Sequence, residues 1–444
     1  MYQGSAKSIF LKVAVPQMIS LLFNSIYWLV DGVFIGVRLG SLALAAAGVA
    51  TPAAEMMIAV SAAVSAGACV VVSARLAKKD DAGAVSAFNT CVKTQGLIVV
   101  LIVVMGNVFL DDLVRLLGAT PDIHDMTATY LRVILSFSPM LLFSYLLGGL
   151  VRSDGQPTLA MVAMTVGSLS NIVLDYVLMY PLNMGIAGAA LASGIGPGVT
   201  VLLLLPHFLL KRGVLRFARV RFSLPDAGRF LRLGIPSFVM EFSIGMVTFL
   251  MNSGIVRWGY GEKGLAAYVI IGYLVLMVLT LFLGMTEGLQ PAISYLNAAG
   301  EKRKLGELIR FSVMVFVVVG ILAYGLVWFF SIDFYHIFTP GAEDVAVFAA
   351  EQSRRYFSGF VFAGLNILAI TFFQATARTG KSLTLSILRG FALPALFILT
   401  LPTMFGAEAL WVCHSVAEVV TFVVAVVFVW RRFGEGGLMM NDYE

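Results

Sequence analysis

SLSNIVLDYVLMY, residues 168–180, decides the fold. Its apolar side chains run on without the alternation of a half-buried strand, yet it keeps an amide and a carboxylate, Asn171 and Asp175, four positions apart. On a helix that spacing puts both groups on one face. Two further apolar stretches carry stranded acids: Asp31 in SIYWLVDGVFIG (25–36) and Glu241 in GIPSFVMEFSIGM (234–246). A charged side chain at the middle of a bilayer costs about 2.5–3.5 kcal/mol on insertion scales. A chain that keeps several such groups uses them, and the usual use is to bind ions or protons along a transport path.

Composition extends this reading to the whole chain. The 444 residues are 59% hydrophobic and 12% charged, with a mean hydropathy of +0.93. Soluble domains have about a quarter of their residues charged. A spanning helix needs about 20 apolar residues. Twelve stretches can be drawn, near 13–37, 42–74, 86–110, 124–151, 157–181, 186–211, 229–256, 264–292, 308–331, 345–377, 382–403 and 406–430. Continuous runs of this length exclude a barrel's alternating strands. The expected fold is an all-α polytopic membrane protein with 12 transmembrane helices. Cys69, Cys91 and Cys413 lie in apolar segments and read as packing residues, not a disulfide framework. No cleavable leader is expected.

Basic residues set the expected orientation. Lys7, Lys12, Arg75, Lys78, Lys79 and Arg152, then Arg378, Lys381, Arg389, Arg431 and Arg432, fall at the end shared by both termini. The longest connection, KRGVLRFARVRFSLPDAGRFLRLG (211–234), adds seven more. The positive-inside rule places both termini in the cytoplasm of a plasma (inner) membrane protein. The net charge of +5 follows from this bias, and nucleic acid is not an expected partner. The same connection divides the chain. LKVAVP (11–16) aligns with LRLGIP (231–236), and a shift of 221 pairs Gly67 with Gly288. VRSDGQPT (151–158) resembles TARTGKSLT (376–384). Two pseudo-symmetric six-helix bundles follow: an N-lobe over 1–212, a basic linker over 213–228, and a C-lobe with a short tail over 229–444. Six is even, so the axis relating the copies should lie along the membrane normal, and a cleft between them is a natural substrate path.

These motifs, in this order, carry a resemblance. Pro16-x14-Asp31 followed by GVFIG, RSDGQP, Asn171-x3-Asp175, GIAGAALAS (185–193), Pro236-x4-Glu241, GLQPAISYLNAAG and FFQATARTGKS span essentially the whole chain. The sequence resembles the multidrug and toxic compound extrusion (MATE) transporters of the MOP flippase superfamily, on the MepA-like prokaryotic branch. The resemblance implies an N-lobe cation site at Asp31, Asn171, Asp175 and Ser193, where Ser stands for the family's frequent Thr. It further implies a backbone carbonyl at Ala189 and a pocket-lining ring at Tyr130. Glu241 matches an acid used by NorM-type members. Their acid on the tenth helix has no match here, where Asn366 and Gln374 are the polar residues offered. The implied substrates are organic, often cationic or lipophilic compounds exported in exchange for H+ or Na+, with membrane lipids around a monomer.

Two acids in one low-dielectric pocket repel, so a proton or Na+ is favoured between Asp31 and Asp175. Glu287 breaks the repeat, since Ala66 stands at its mate, and it joins Glu241 as a candidate C-lobe acid. Asn24, Met164, Met240, Met251 and Gln374 are candidates for the substrate cavity, where Met side chains adapt to varied partners. The four histidines have no metal-ligand spacing, so no metal beyond Na+ and no cofactor is expected. TARTGKS lacks the first Gly of a phosphate-binding loop, and HExxH, GxSxG and CxxC are absent. An enzyme is therefore not expected. A lipid-linked precursor or polysaccharide flippase of the same superfamily remains an alternative, disfavoured by the acidic midplane. A non-transporting scaffold or intramembrane enzyme is the alternative of another class.

Overall fold

The computed structural model describes residues 4–336 and 343–434 of the chain. The expected tail beyond 434 lies outside the described residues, as do the first three positions. The first half comprises α1 (Ala6–Leu39), α2 (Ser41–Ala77), α3 (Asp81–Val108), the short α4 (Leu110–Leu116), α5 (His124–Ser153), α6 (Pro157–Met179) and α7 (Gly185–Leu209). The second comprises α8 (Leu224–Arg257), α9 (Gly261–Ala298), α10 (Lys302–His336), α11 (Glu343–Tyr356), α12 (Phe360–Ala375), α13 (Thr379–Ile387), α14 (Leu393–Phe405) and α15 (Cys413–Gly434). A 3-10 turn joins α11 to α12, a π-helical turn (Leu388–Ala392) joins α13 to α14, and a 3-10 segment (Ala407–Val412) leads into α15. Among the described residues, twelve helical stretches are long and apolar enough to cross a membrane. Local chemistry sets their ends. Asp80 caps α3 by accepting from Gly83 N at 2.8 Å. Ser223 caps α8, with Pro225 in its first turn, so that helix begins before the 229 expected from hydropathy.

Each half has its own apolar core. Ile35, Tyr130, Leu131, Met179 and Ala189 form one, confined to the first half. Phe282, Phe316, Phe360 and Trp411 anchor the other. Lipid gives no hydrophobic drive between helices, so close backbone approach matters more there than in water. The halves meet where α2 packs on α8 and α1 on α9. A Cβ on Gly67 would come within 1.9 Å of the Phe230 carbonyl oxygen, and one on Gly288 within 2.2 Å of the Val13 carbonyl oxygen. These two glycines are the pair that the sequence repeat aligns, so the two contacts are mates.

The contact between halves is confined to the end that carries the start of α1. There Phe10, Val13 and Ala14 bury against Leu289, Ile293 and Leu296. Arg75 forks onto Asp226, with nitrogen to oxygen distances of 2.7 and 3.1 Å. Ser25 meets Thr280 at 3.0 Å further along. Beyond that point α1 and α2 contribute only to the core of their own half, and Val33 and Val37 are exposed. The cleft is thus sealed at the terminus-bearing end and parted at the other.

Candidate functional site

Asp31 on α1 and Asp175 on α6 are 4% and 0% exposed, and their carboxyl groups lie close enough to repel each other. Asn171 lies one helical turn before Asp175 and is 1% exposed. Neither Asp175 oxygen, nor Asp31 Oδ1, nor either amide atom of Asn171 has a hydrogen-bond partner. Among the described residues no basic side chain forms an ion pair with either acid. Tyr130 of α5 faces both carboxyls and Ser193 of α7. Ala189 is buried one turn before Ser193, in the same cluster as Tyr130. Four separate reaches of sequence thus converge on one pocket rich in acceptors. Buried polar groups are nearly always satisfied. Two carboxyls, an amide and two hydroxyls fit a proton or a small hard cation, for which oxygen ligands suffice. Tyr27 also faces the pair and gave no signal in the sequence beyond its place one turn before Asp31.

Two cavities lie within the molecule, the first sharing Asn171 and Tyr27 with this pocket. Asn24 and Met164 line the first together with Asn171, Tyr27 and Thr200. The second lies between the halves and is lined by Met240, Glu241, Glu287 and Gln374, with Tyr145 and Arg152. Glu55 of α2 is near enough to Glu241 to repel it across the cleft. Gln374 is engaged within its own half, donating to Leu233 O at 2.8 Å and pairing with Ser237. Met251 is a correction. It is wholly buried in the core of the second half and lines neither cavity, because its face of α8 turns toward Ile255 and Leu410.

Glu287 sits on α9, but its partners come from the other half. Gln17 Nε2 donates to Glu287 Oε2 at 2.7 Å, Arg152 Nη1 donates to Gln17 Oε1 at 2.7 Å, and Arg152 Nη2 lies 3.8 Å from Glu287 Oε2. Arg389, read from the sequence as part of the basic end, points instead into the second bundle. Its Nε lies 2.9 Å from the fully buried Glu418, which also accepts from Asn366 at 2.8 Å. Glu418 escaped the reading although it obeys the same rule, a lone acid within an apolar span. Among the described residues no three His, Cys, Asp or Glu side chains are grouped as a metal site would need.

Two six-helix bundles about a one-sided cleft, with unpaired carboxyls beneath it, define a multi-pass membrane transporter. The chain belongs to the MatE family, whose model matches residues 16–177 and 236–398, one match in each half. It is a transporter and not an enzyme. It is 25% identical to the multidrug export protein MepA of Staphylococcus saprophyticus, over 94% of this chain and 92% of that one. The MepA of Staphylococcus aureus is likewise 25% identical over the same shares. Its fold matches an outward-facing multidrug resistance MATE family transporter of the MOP superfamily, with TM-score 0.91, 24% identity and coverage of 99% and 98%. A MOP superfamily transporter from Pyrococcus furiosus, described as having a binding pocket of reversed polarity, matches with TM-score 0.91 at 23% identity, over 99% of this chain and 98% of that one.

Proposed function

We propose that the protein is a secondary-active antiporter that exports organic, often cationic, compounds in exchange for H+ or Na+. The observation that carries this reading is that Asp31 and Asp175 are buried close together with no basic partner. Such a pair holds a cation or proton in preference to two bare charges. Discharging it changes how α1 packs on α6, and α1 also forms the wall of the cleft against α9. Antiport requires that ion and substrate weaken each other's binding, and the coupling is reciprocal. The gradient supplies about 2.3 kcal/mol per charge per 100 mV of potential. Glu241 in the lining of the central cavity, with Glu55 close to it, suits the cavity to cations. Basic residues at the sealed end favour its assignment to the cytoplasm, so the cleft opens outward. The proposed working unit is the monomer.

The test is efflux of a panel of cationic dyes from proteoliposomes under separately imposed pH and Na+ gradients. Efflux driven by one gradient is expected. Equal dye movement with and without either gradient contradicts antiport.

A further inference from the structure

Glu287 and Arg152 stand on opposite halves of the molecule, on α9 and α5, at the sealed floor of the central cavity. Gln17 of α1 bridges them, accepting from Arg152 and donating to Glu287. Parting the halves at this end must separate Glu287 from both partners, because both belong to the other half. While the floor is closed, the Glu287 charge is offset by the Arg152 guanidinium, and Glu241 is the acid of the cavity lining left without a basic partner among the described residues. When the floor opens, Glu287 becomes a bare carboxylate on the cavity wall, and Arg152 retreats with Gln17 on the other side. The Glu287 side chain is already 34% exposed in the closed arrangement, so it has a route to the cavity.

We infer that Arg152, Gln17 and Glu287 form a latch that doubles as a charge switch. Glu287 is the counter-ion of an organic cation only while the cavity faces the terminus-bearing side, and Arg152 displaces that cation as the floor closes. The inference rests on the exporter reading above and adds to it a reason for directional affinity. Cation binding is tight on loading and weak on release, because one anionic partner is withdrawn in between. Glu287 belongs to a helix whose repeat mate has Ala66 at this position, so the two halves are asymmetric where a directional switch needs asymmetry.

The test combines two readouts on purified full-length protein. Tetraphenylphosphonium binding is measured by titration calorimetry for the wild type, Arg152→Gln, Gln17→Ala, and Arg152→Gln combined with Glu287→Gln. Floor opening is measured as the spin-label distance between exposed Lys79 and Arg232, one on each half, with Cys69, Cys91 and Cys413 replaced by Ser. Arg152→Gln is expected to bind roughly tenfold tighter, the scale of one unpaired charge at a half-exposed site, and to lengthen the distance. Gln17→Ala, which leaves no charge stranded, is expected to shift both readouts less in the same direction. The double variant is expected to keep the longer distance and lose the gain in affinity. No gain in Arg152→Gln, or a gain that survives loss of Glu287, overturns the counter-ion. An unchanged distance in both single variants overturns the latch. If the wild type binds no organic cation, the exporter reading and the counter-ion both fail, and the distances alone then decide the latch.

Discussion

Asp31 and Asp175 were legible because burial of charge in lipid is costly and rarely idle. Their closeness could not be read from sequence, since it depends on how α1 crosses α6. Replacing Asp175 with Asn leaves one acid and removes the repulsion between two. Gradient-driven efflux is expected to fall by at least about tenfold, while the thermal midpoint of the detergent-purified protein stays level or rises. Transport at the wild-type rate would remove Asp175 from the coupling site. Tyr130→Phe deletes a hydroxyl that faces both carboxyls and Ser193, a change on the scale of one hydrogen bond, about 1 kcal/mol. A several-fold weaker apparent affinity for the driving ion, with the maximal rate retained, is the expected kinetic result. Arg152 and Gln17 were harder to read. Arg152 sits in the last turn of its helix, where a basic residue normally faces headgroups, and only the fold shows it turned inward.

At the scale of helices, all twelve spans could be placed because apolar length is a strong signal, though the helices run up to seven residues past the expected ends. The departures have local causes. α8 starts at Leu224 because Ser223 caps it and Pro225 suits a first turn. The eleventh span is not one α-helix. Its π-helical turn lets Arg389 reach Glu418, while Gly390 lies against Ser243 of α8. Such a turn answers tertiary demands, and no residue pattern announces it. The crossings of α1 with α9 and α2 with α8 make a sharper prediction. A side chain at Gly288 would collide with backbone oxygen, which cannot rotate away. Gly288→Val is expected to cost about 1–3 kcal/mol of overpacking strain at the sealed end. The check is a lowered thermal midpoint and greater labelling of a cysteine placed at Phe10. A variant as stable and as closed as the wild type would mean the crossing is looser than described.

For the whole molecule, the repeat in the sequence anticipated two bundles, and the matched glycines turned that repeat into a physical contact. The linker is held more firmly than its composition suggests. Asn89 of α3 donates to Arg216 O at 2.9 Å and accepts from Ala218 N at 3.0 Å. Asp154 accepts from Val214 N at 3.1 Å and pairs with His207 at 2.7 Å. The connection is therefore a strap pinned to the first half and continuous with α8 of the second. Asn89→Ala removes two such bonds, worth about 1–3 kcal/mol together. Hydrogen exchange over 214–220 should speed up markedly while exchange in α5 stays unchanged. Unaltered exchange in the strap would show that other contacts hold it.

The central claim is that a cation held by Asp31 and Asp175 and a substrate in the central cavity exclude each other. The most direct measurement is cation release on substrate binding. Purified protein in weakly buffered detergent solution is titrated with tetraphenylphosphonium, with a pH indicator, and in parallel after equilibration with 22Na+. Release of about one proton or one Na+ per bound substrate is the predicted result, abolished when Asp31 and Asp175 are both replaced by Asn. Substrate binding that releases neither ion, or release that persists without both acids, would contradict it.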